Sequence, residues 1–257
     1  MQGIVAGHDG YFNGPGKSHS TDTLIWYDWT GNGNHTLDLA SEGFTGPLDW
    51  RLSGLMIRRT YLLKQTVVFP QVWNTLTKGM TYTLEVRSAR MSASGRQWKL
   101  SNYWGRPNVP FEWTLGINSN VSGDVSVIIG GDLMRYSTES SAGALISGYS
   151  DYENNTFAWS VDNGVYSCYV NGVFIGLLNG GNAIYTGNIG GDISANPKVR
   201  FTLGSRTGID ELDDPDTMTC YDTNAFFQAI RFYDRPLTQE ELAFNAATDL
   251  RRFGKVV

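Results

Sequence analysis

Phe226-Phe227-Gln228-Ala229-Ile230-Arg231-Phe232-Tyr233-Asp234-Arg235-Pro236-Leu237-Thr238-Gln239-Glu240-Glu241-Leu242 changes period in mid-run. Up to Tyr233 it alternates as a strand does. Pro236 has no amide hydrogen to give to a sheet and so ends the ladder. Thr238 followed three residues later by Glu241 is a capping box, in which the hydroxyl and the carboxylate each satisfy an orphan amide at a helix start. The spacing therefore predicts a strand that closes on a short helix, with Leu242 placed to dock it.

This ending resembles the closing signature of the laminin G-like, concanavalin A-like lectin/glucanase family. There the last strand reads as an arginine-tyrosine-asparagine-arginine run followed by a leucine and an acidic capped helix; here Asp234 stands in place of the asparagine. Leu24-Ile25-Trp26-Tyr27-Asp28-Trp29-Thr30-Gly31-Asn32-Gly33-Asn34-His35 is similar to the opening signature of the same family, a tryptophan-aspartate pair leading into a glycine-asparagine-glycine turn. The resemblance implies an all-β, concanavalin A-like jelly-roll sandwich of two antiparallel sheets with a short C-terminal helix. It spans residues 24–257 as one laminin G-like domain, behind an irregular N-terminal arm over 1–23 that lies on the sandwich. Such a fold carries sugar binding, peptide binding, adhesion and glycoside hydrolysis alike, so function must be argued from sites.

Between the two ends, alternation is the main signal. Tyr82, Leu84 and Val86 fall on one face of a run whose other face is Thr83, Glu85 and Arg87, the pattern of a half-buried antiparallel strand. Further strands are expected at Leu55–Leu63, Phe111–Ile117, Val125–Ile129, Phe157–Val161 and Val199–Leu203. Asn171-Gly172, between two alternating runs, accepts positive φ at both positions and so predicts a two-residue type I′ hairpin. Strands at intervals of roughly 10 to 15 residues, with no long amphipathic helix before Thr238, indicate a jelly roll and not an α/β fold.

Bulk properties agree. The 257 residues are 41% hydrophobic, enough for one substantial core. The 30 glycines and 13% aromatic content suit short strands and tight turns. A net charge of -5 lacks the electrostatic footprint that phosphate backbones or anionic membranes demand. No apolar run approaches the roughly 20 residues that span a bilayer. Nucleic acid and membrane insertion are therefore excluded as partners. Met1-Gln2-Gly3-Ile4-Val5-Ala6-Gly7-His8 has neither a basic leader nor a long apolar stretch, so no signal peptide is predicted in this chain. Cys168 and Cys220 read as two buried reduced thiols, the alternative being a single bridge.

Candidate chemistry falls in three places. Asp210-Glu211-Leu212-Asp213-Asp214-Pro215-Asp216 packs five carboxylates into seven residues. Clustered hard oxygens suit calcium, making Asp210, Asp213, Asp214 and Asp216 candidate ligands, although the spacing is not that of an EF-hand. Laminarinase-type glucanases of the resembled fold carry an acidic strand motif to which Glu211, Asp213 and Asp216 are superficially similar. Retaining hydrolysis requires carboxyl groups about 5–5.5 Å apart, which regular alternation supplies and Pro215 interrupts. The third reading is a solvated acidic loop.

Trp98, Asn102, Tyr103 and Trp104, broken by Gly105, Pro107 and Pro110, have the composition of a sugar-binding loop, because sugar rings stack C–H faces on aromatics and offer hydroxyls to amides. Trp113 alternates with core positions and is read as core. Tyr149 and Tyr152 form a second polar-aromatic cluster that resembles the family's edge loops or is an ordinary turn. His8, His19 and His35 lack the company a zinc site needs, and His19 and Asp28 are expected to hydrogen-bond within the opening arm. No serine, cysteine or threonine is set in a strained elbow with a base, so nucleophilic acyl chemistry is not supported.

These readings lead to a non-catalytic recognition module that binds glycans or a surface protein. The resemblance to bacterial and bacteriophage relatives implies an extracellular setting on a cell surface or virion surface. Two alternatives stand beside it: a structural virion protein acting as fibre, decoration or assembly component without sugar binding, and a glycoside hydrolase of the laminarinase type. Edge strands allow a homo-oligomer or virion assembly, and no coiled-coil heptads specify a trimer.

Overall fold

The computed structural model describes residues 3–36, 48–57, 67, 69, 81–90, 97–101, 113–118, 124–129, 132–135, 153–177, 202–203 and 225–254. The fold is an all-β, concanavalin A-like jelly-roll sandwich with one C-terminal helix. Its strands are β1 (Ile4–Asp9), β2 (Asp49–Arg51), β3 (Gly54–Ile57), β4 (Tyr82–Arg90), β5 (Gln97–Ser101), β6 (Trp113–Asn118), β7 (Asp124–Ile129), β8 (Asp132–Arg135), β9 (Asn155–Asp162), β10 (Val165–Val170), β11 (Val173–Leu177), β12 (Thr202–Leu203) and β13 (Ala225–Tyr233). Helix α1 follows over Gln239–Phe253. The larger sheet runs β11-β10-β9-β4-β13-β3-β2, with β1 also on β13; the smaller runs β12-β5-β6-β7-β8. Among the described residues every strand pairing is antiparallel.

β13 is the hub of the larger sheet. One edge pairs with β4 from Ala225↔Arg90 to Tyr233↔Thr83. The other is shared: Ala225–Phe227 pair with β3, and Ala229–Tyr233 with β1. Gln228 falls at the join, fully buried, accepting from Arg87 Nε at 3.1 Å and donating to Ser53 Oγ at 3.2 Å. The buried amide thus finds partners on both sides of the break. As the capping box requires, Thr238 Oγ1 accepts from the Glu241 amide and Glu241 accepts from the Thr238 amide.

One face of the larger sheet builds the inter-sheet core from Tyr82, Leu84, Val86, Phe157, Trp159, Val161, Tyr166, Val170, Phe227, Ile230 and Phe232, joined by Leu203 of β12. The opposite face carries α1, docked through Leu242 and through Leu237 just before the helix, on Ala158 and Tyr233. At roughly 1.5–3 kcal/mol per fully buried aliphatic side chain, these two leucines supply much of the docking energy.

Two expectations are corrected. Residues 4–9 are not irregular: they form β1, because β13 offers them a free edge between Ala229 and Tyr233. Nor is β4 half-buried, since Thr83, Glu85 and Arg87 lie under α1 and are as inaccessible as the core face. The Asn171-Gly172 hairpin is present, with φ of 51° and 77° and Val170 paired to Val173. A second Asn-Gly turn, Asn163-Gly164, joins β9 to β10 in the same way, with Asp162 paired to Val165. Of the other expected strands, β6, β7, β9 and β12 lie within or overlap the expected ranges, and β3 covers the start of Leu55–Leu63. Residues 58–63, 111–112 and 199–201 lie outside the described residues. Among the described residues no helix is long and apolar enough to cross a membrane.

Candidate functional site

The opening motif is a stitched turn. Asp28 Oδ1 accepts from the Gly7 amide at 3.0 Å, the Thr30 amide at 3.0 Å and the Thr30 hydroxyl at 2.7 Å, while Oδ2 accepts from the Asn34 amide at 3.1 Å. Against burial, which works to raise it, the donors from Thr30, Gly7 and Asn34 hold the Asp28 carboxyl below its usual range. Asn32 and Asn34 donate to the Val5 carbonyl, tying the turn to β1. The Asp28 amide donates to His35 Nδ1, and His19 Nδ1 lies 3.2 Å from the Gly10 carbonyl. The expected hydrogen-bonding role of His19 and Asp28 is thus present. His8 is fully buried beside the Trp26 carbonyl, and burial pushes its imidazole down to about 4.

The second polar assembly lies between the larger sheet and α1. Arg231 donates through both terminal nitrogens to Asp249 and lies 3.5 Å from Glu85 Oε2. Asn245 Nδ2 donates to Glu85 Oε2 at 2.9 Å and to the Tyr233 hydroxyl at 3.1 Å. Arg87 donates to the Gly254 carbonyl at 2.9 Å and to Thr156, whose hydroxyl donates to Asp249. Burial works to discharge Arg231, but Asp249 and Glu85 hold its proton more tightly than usual. Burial pushes the Glu85 carboxyl up to about 7, with Arg231 opposing and Asp249 reinforcing. Glu85 is 1% exposed and Asp249 is 0% exposed. Two acids and two arginines, Arg231 and Arg87, meet here beneath α1, and the assembly fastens the helix to the sheet.

Sequence reasoning missed this seam. The available signal was the pair Glu85 and Arg87, two apart on a strand, with Arg231 in an otherwise apolar strand and Asn245 and Asp249 four apart on one helix face.

Among the described residues, two cavities lie beside α1. One of about 420 Å³ is lined by Tyr233, Arg235, Leu237, Glu240, Glu241, Phe244 and Asn245. The other, about 310 Å³, lies between the N-terminal segment and the end of the helix.

Of the residues expected to form a site, Trp98 lies in β5 opposite Gly116 of β6. Asn102, Tyr103, Trp104, Tyr149 and Tyr152 lie outside the described residues, as do Asp210, Glu211, Asp213, Asp214 and Asp216. β5 ends at Ser101, so the aromatic run follows directly on a strand end. Among the described residues no group of acids, histidines and cysteines is arranged to hold a metal. Cys168 is a buried free thiol that burial holds in its neutral form, and Cys220 lies outside the described residues.

Neither a family model nor a curated protein matches the chain. Among solved structures it is similar to a Trypanosoma rangeli sialidase in complex with 2,3-difluorosialic acid, at 14% identity and a TM-score of 0.62, over 97% of this chain and 33% of that one. The same sialidase in complex with 2-keto-3-deoxy-D-glycero-D-galacto-2,3-difluoro-nononic acid gives 15% identity and 0.61, over 99% and 34%. A Ruminococcus gnavus IT-sialidase CBM40 bound to α2,3-sialyllactose gives 16% identity and 0.49, over 76% and 96%. The chain spans about a third of the length of the Trypanosoma sialidases it matches. At these identities the likeness to the Trypanosoma sialidases defines the class by architecture alone: a concanavalin A-like β-sandwich.

Proposed function

We propose that the chain is a non-catalytic recognition module of the laminin G-like type, displayed on a cell or virion surface, that binds glycans or another surface ligand through residues at its strand ends. The observation that supports it is the fate of the acids. Among the described residues, the carboxylates that converge, Glu85 and Asp249, are buried beneath α1, where both face Arg231. Hydrolysis needs two carboxyl groups open to a scissile bond, and this pair is closed to one. Recognition needs only an aromatic face and fixed polar groups, and Asn102, Tyr103 and Trp104 follow directly on the end of β5.

The test is a glycan array probed with the native chain and with Tyr103→Ala and Trp104→Ala. Binding that both substitutions abolish, without reducing sugar released, is the expected result. An array that stays silent, or binding indifferent to both changes, would overturn the reading. Release of reducing sugar that Glu211→Gln abolishes would replace it with a hydrolase.

A further inference from the structure

The cavity of about 310 Å³ is lined by Asp9, Phe12, Lys17, Trp29, Arg231, Asn245, Thr248 and Arg252. Lys17, Arg231 and Arg252 face Asp9 there; Asp249 and Glu85 balance Arg231 from beneath and Asp9 pairs with Arg252, so the charge left over among the lining residues is that of Lys17. Two of the cations are anchored. Arg231 is 4% exposed and held by Asp249. Arg252 bonds Asp9 at 2.7 Å, with its guanidinium 5.6 Å from the Phe12 ring and 5.1 Å from the Phe253 ring. One ion pair and two rings fix the plane of this guanidinium while leaving it donors to spare. Lys17 is different: it makes no ion pair among the described residues and sits at a φ of 60° that only a minority of side-chain-bearing residues adopt. The indole of Trp29 rests against the Gly7 backbone, where an added Cβ would meet it at 2.6 Å, so the ring is fixed in place.

We propose that this cavity is a second binding site, built from other residues than the strand-end ones, and that its ligand is an acidic monosaccharide unit whose carboxylate meets Lys17 and Arg252 and whose ring packs on Trp29 and Phe12. The volume is at the small end of ligand pockets and fits one ring. An aromatic wall suits the C–H face of a sugar, and Thr248 and Asn245 supply hydroxyl and amide partners. The charge of Lys17, which none of these ion pairs balances, favours an acidic sugar over a neutral one.

Tryptophan fluorescence and saturation-transfer NMR on the full chain test this, with α2,3-sialyllactose and glucuronate as acidic probes and lactose as the neutral control. Saturable binding of at least one acidic probe is expected, in the ~millimolar range typical of a single shallow contact, and which probe binds distinguishes the two sources of carboxylate. Lys17→Gln weakens it roughly tenfold, the loss of one charge-assisted hydrogen bond, whereas Lys17→Arg retains it. Raising salt to about 0.5 M weakens it further. Equal binding of lactose, no saturation below roughly 50 mM, or an affinity unchanged by Lys17→Gln would overturn the assignment. So would loss of the signal in Tyr103→Ala/Trp104→Ala, because that would place the ligand at the strand ends. A silent glycan array with normal titrations here would defeat only the strand-end reading.

Discussion

Replacing Glu85 by glutamine changes one atom at the centre of the seam beneath α1, and the buried geometry fixes what should follow. The folded chain holds the Glu85 proton up to about 7, against an ordinary value of 4.5. A raised carboxyl contributes stability that is fully present below 4.5 and is lost as pH climbs to about 7. At 1.36 kcal/mol for each tenfold change in proton affinity, the full loss is roughly 3 kcal/mol. The Glu85→Gln amide would carry no charge at any pH, could still accept from Asn245, and would leave Arg231 paired with Asp249.

Thermal unfolding of both chains between about pH 4 and about pH 8 tests the argument. The difference between them is the quantity to follow, because other groups titrate in the same window. The variant should match the native chain near the acid end and exceed it by roughly 3 kcal/mol at pH 8, or about 6–12 °C for a domain of this size. A variant that is less stable than the native chain at pH 8 would show that Glu85 is a net stabilising anion and that burial does not dominate.

Two further outcomes follow from neighbouring geometry. Burial pushes His8 down to about 4 from an ordinary 6.5, so its contribution is complete above 6.5 and is lost as pH falls to about 4, opposite in sign to that of Glu85; an NMR titration of its ring should inflect near the lower value, and an inflection near 6.5 would refute the burial argument. Gly172→Ala would place a Cβ 2.3 Å from Ala243 Cα at a φ of 77°, costing roughly 2–4 kcal/mol in urea unfolding, against about 1 kcal/mol for Gly16→Ala at a φ of 63° in open space; equal costs would mean that the hairpin does not press on α1.

The parts of the fold that could be read from sequence are those whose signals are local. Pro236, the Thr238–Glu241 box and Asn171-Gly172 each act within four residues, and each occurs where its chemistry demands. β1 was not legible because its six residues, Ile4–Asp9, include a glycine and a histidine and gain strand geometry only from pairing with residues 229–233, more than 200 positions away. The candidate site was legible only as composition. Trp98 apart, the aromatic and acidic residues chosen for it lie outside the described residues, while the 310 Å³ cavity gathers residues from two ends of the chain that no local window contains.

The seam failed to show itself for a different reason. A strand face reading Thr83, Glu85, Arg87 is the same string whether water or a helix covers it, and only the covering element decides. An apolar face under α1 would supply comparable docking energy, since buried ion clusters gain little over well-packed hydrophobic residues. What it would not supply is a fixed rotation of the helix. Asn245 and Asp249 meet Glu85 and Arg231 only when that one stripe of α1 faces the sheet, and turning it by a single residue would leave four buried polar groups unpaired. That orientation sends Arg252 toward Asp9 and Gly254 toward Arg87, so the polar seam sets the wall that α1 presents to the neighbouring cavity.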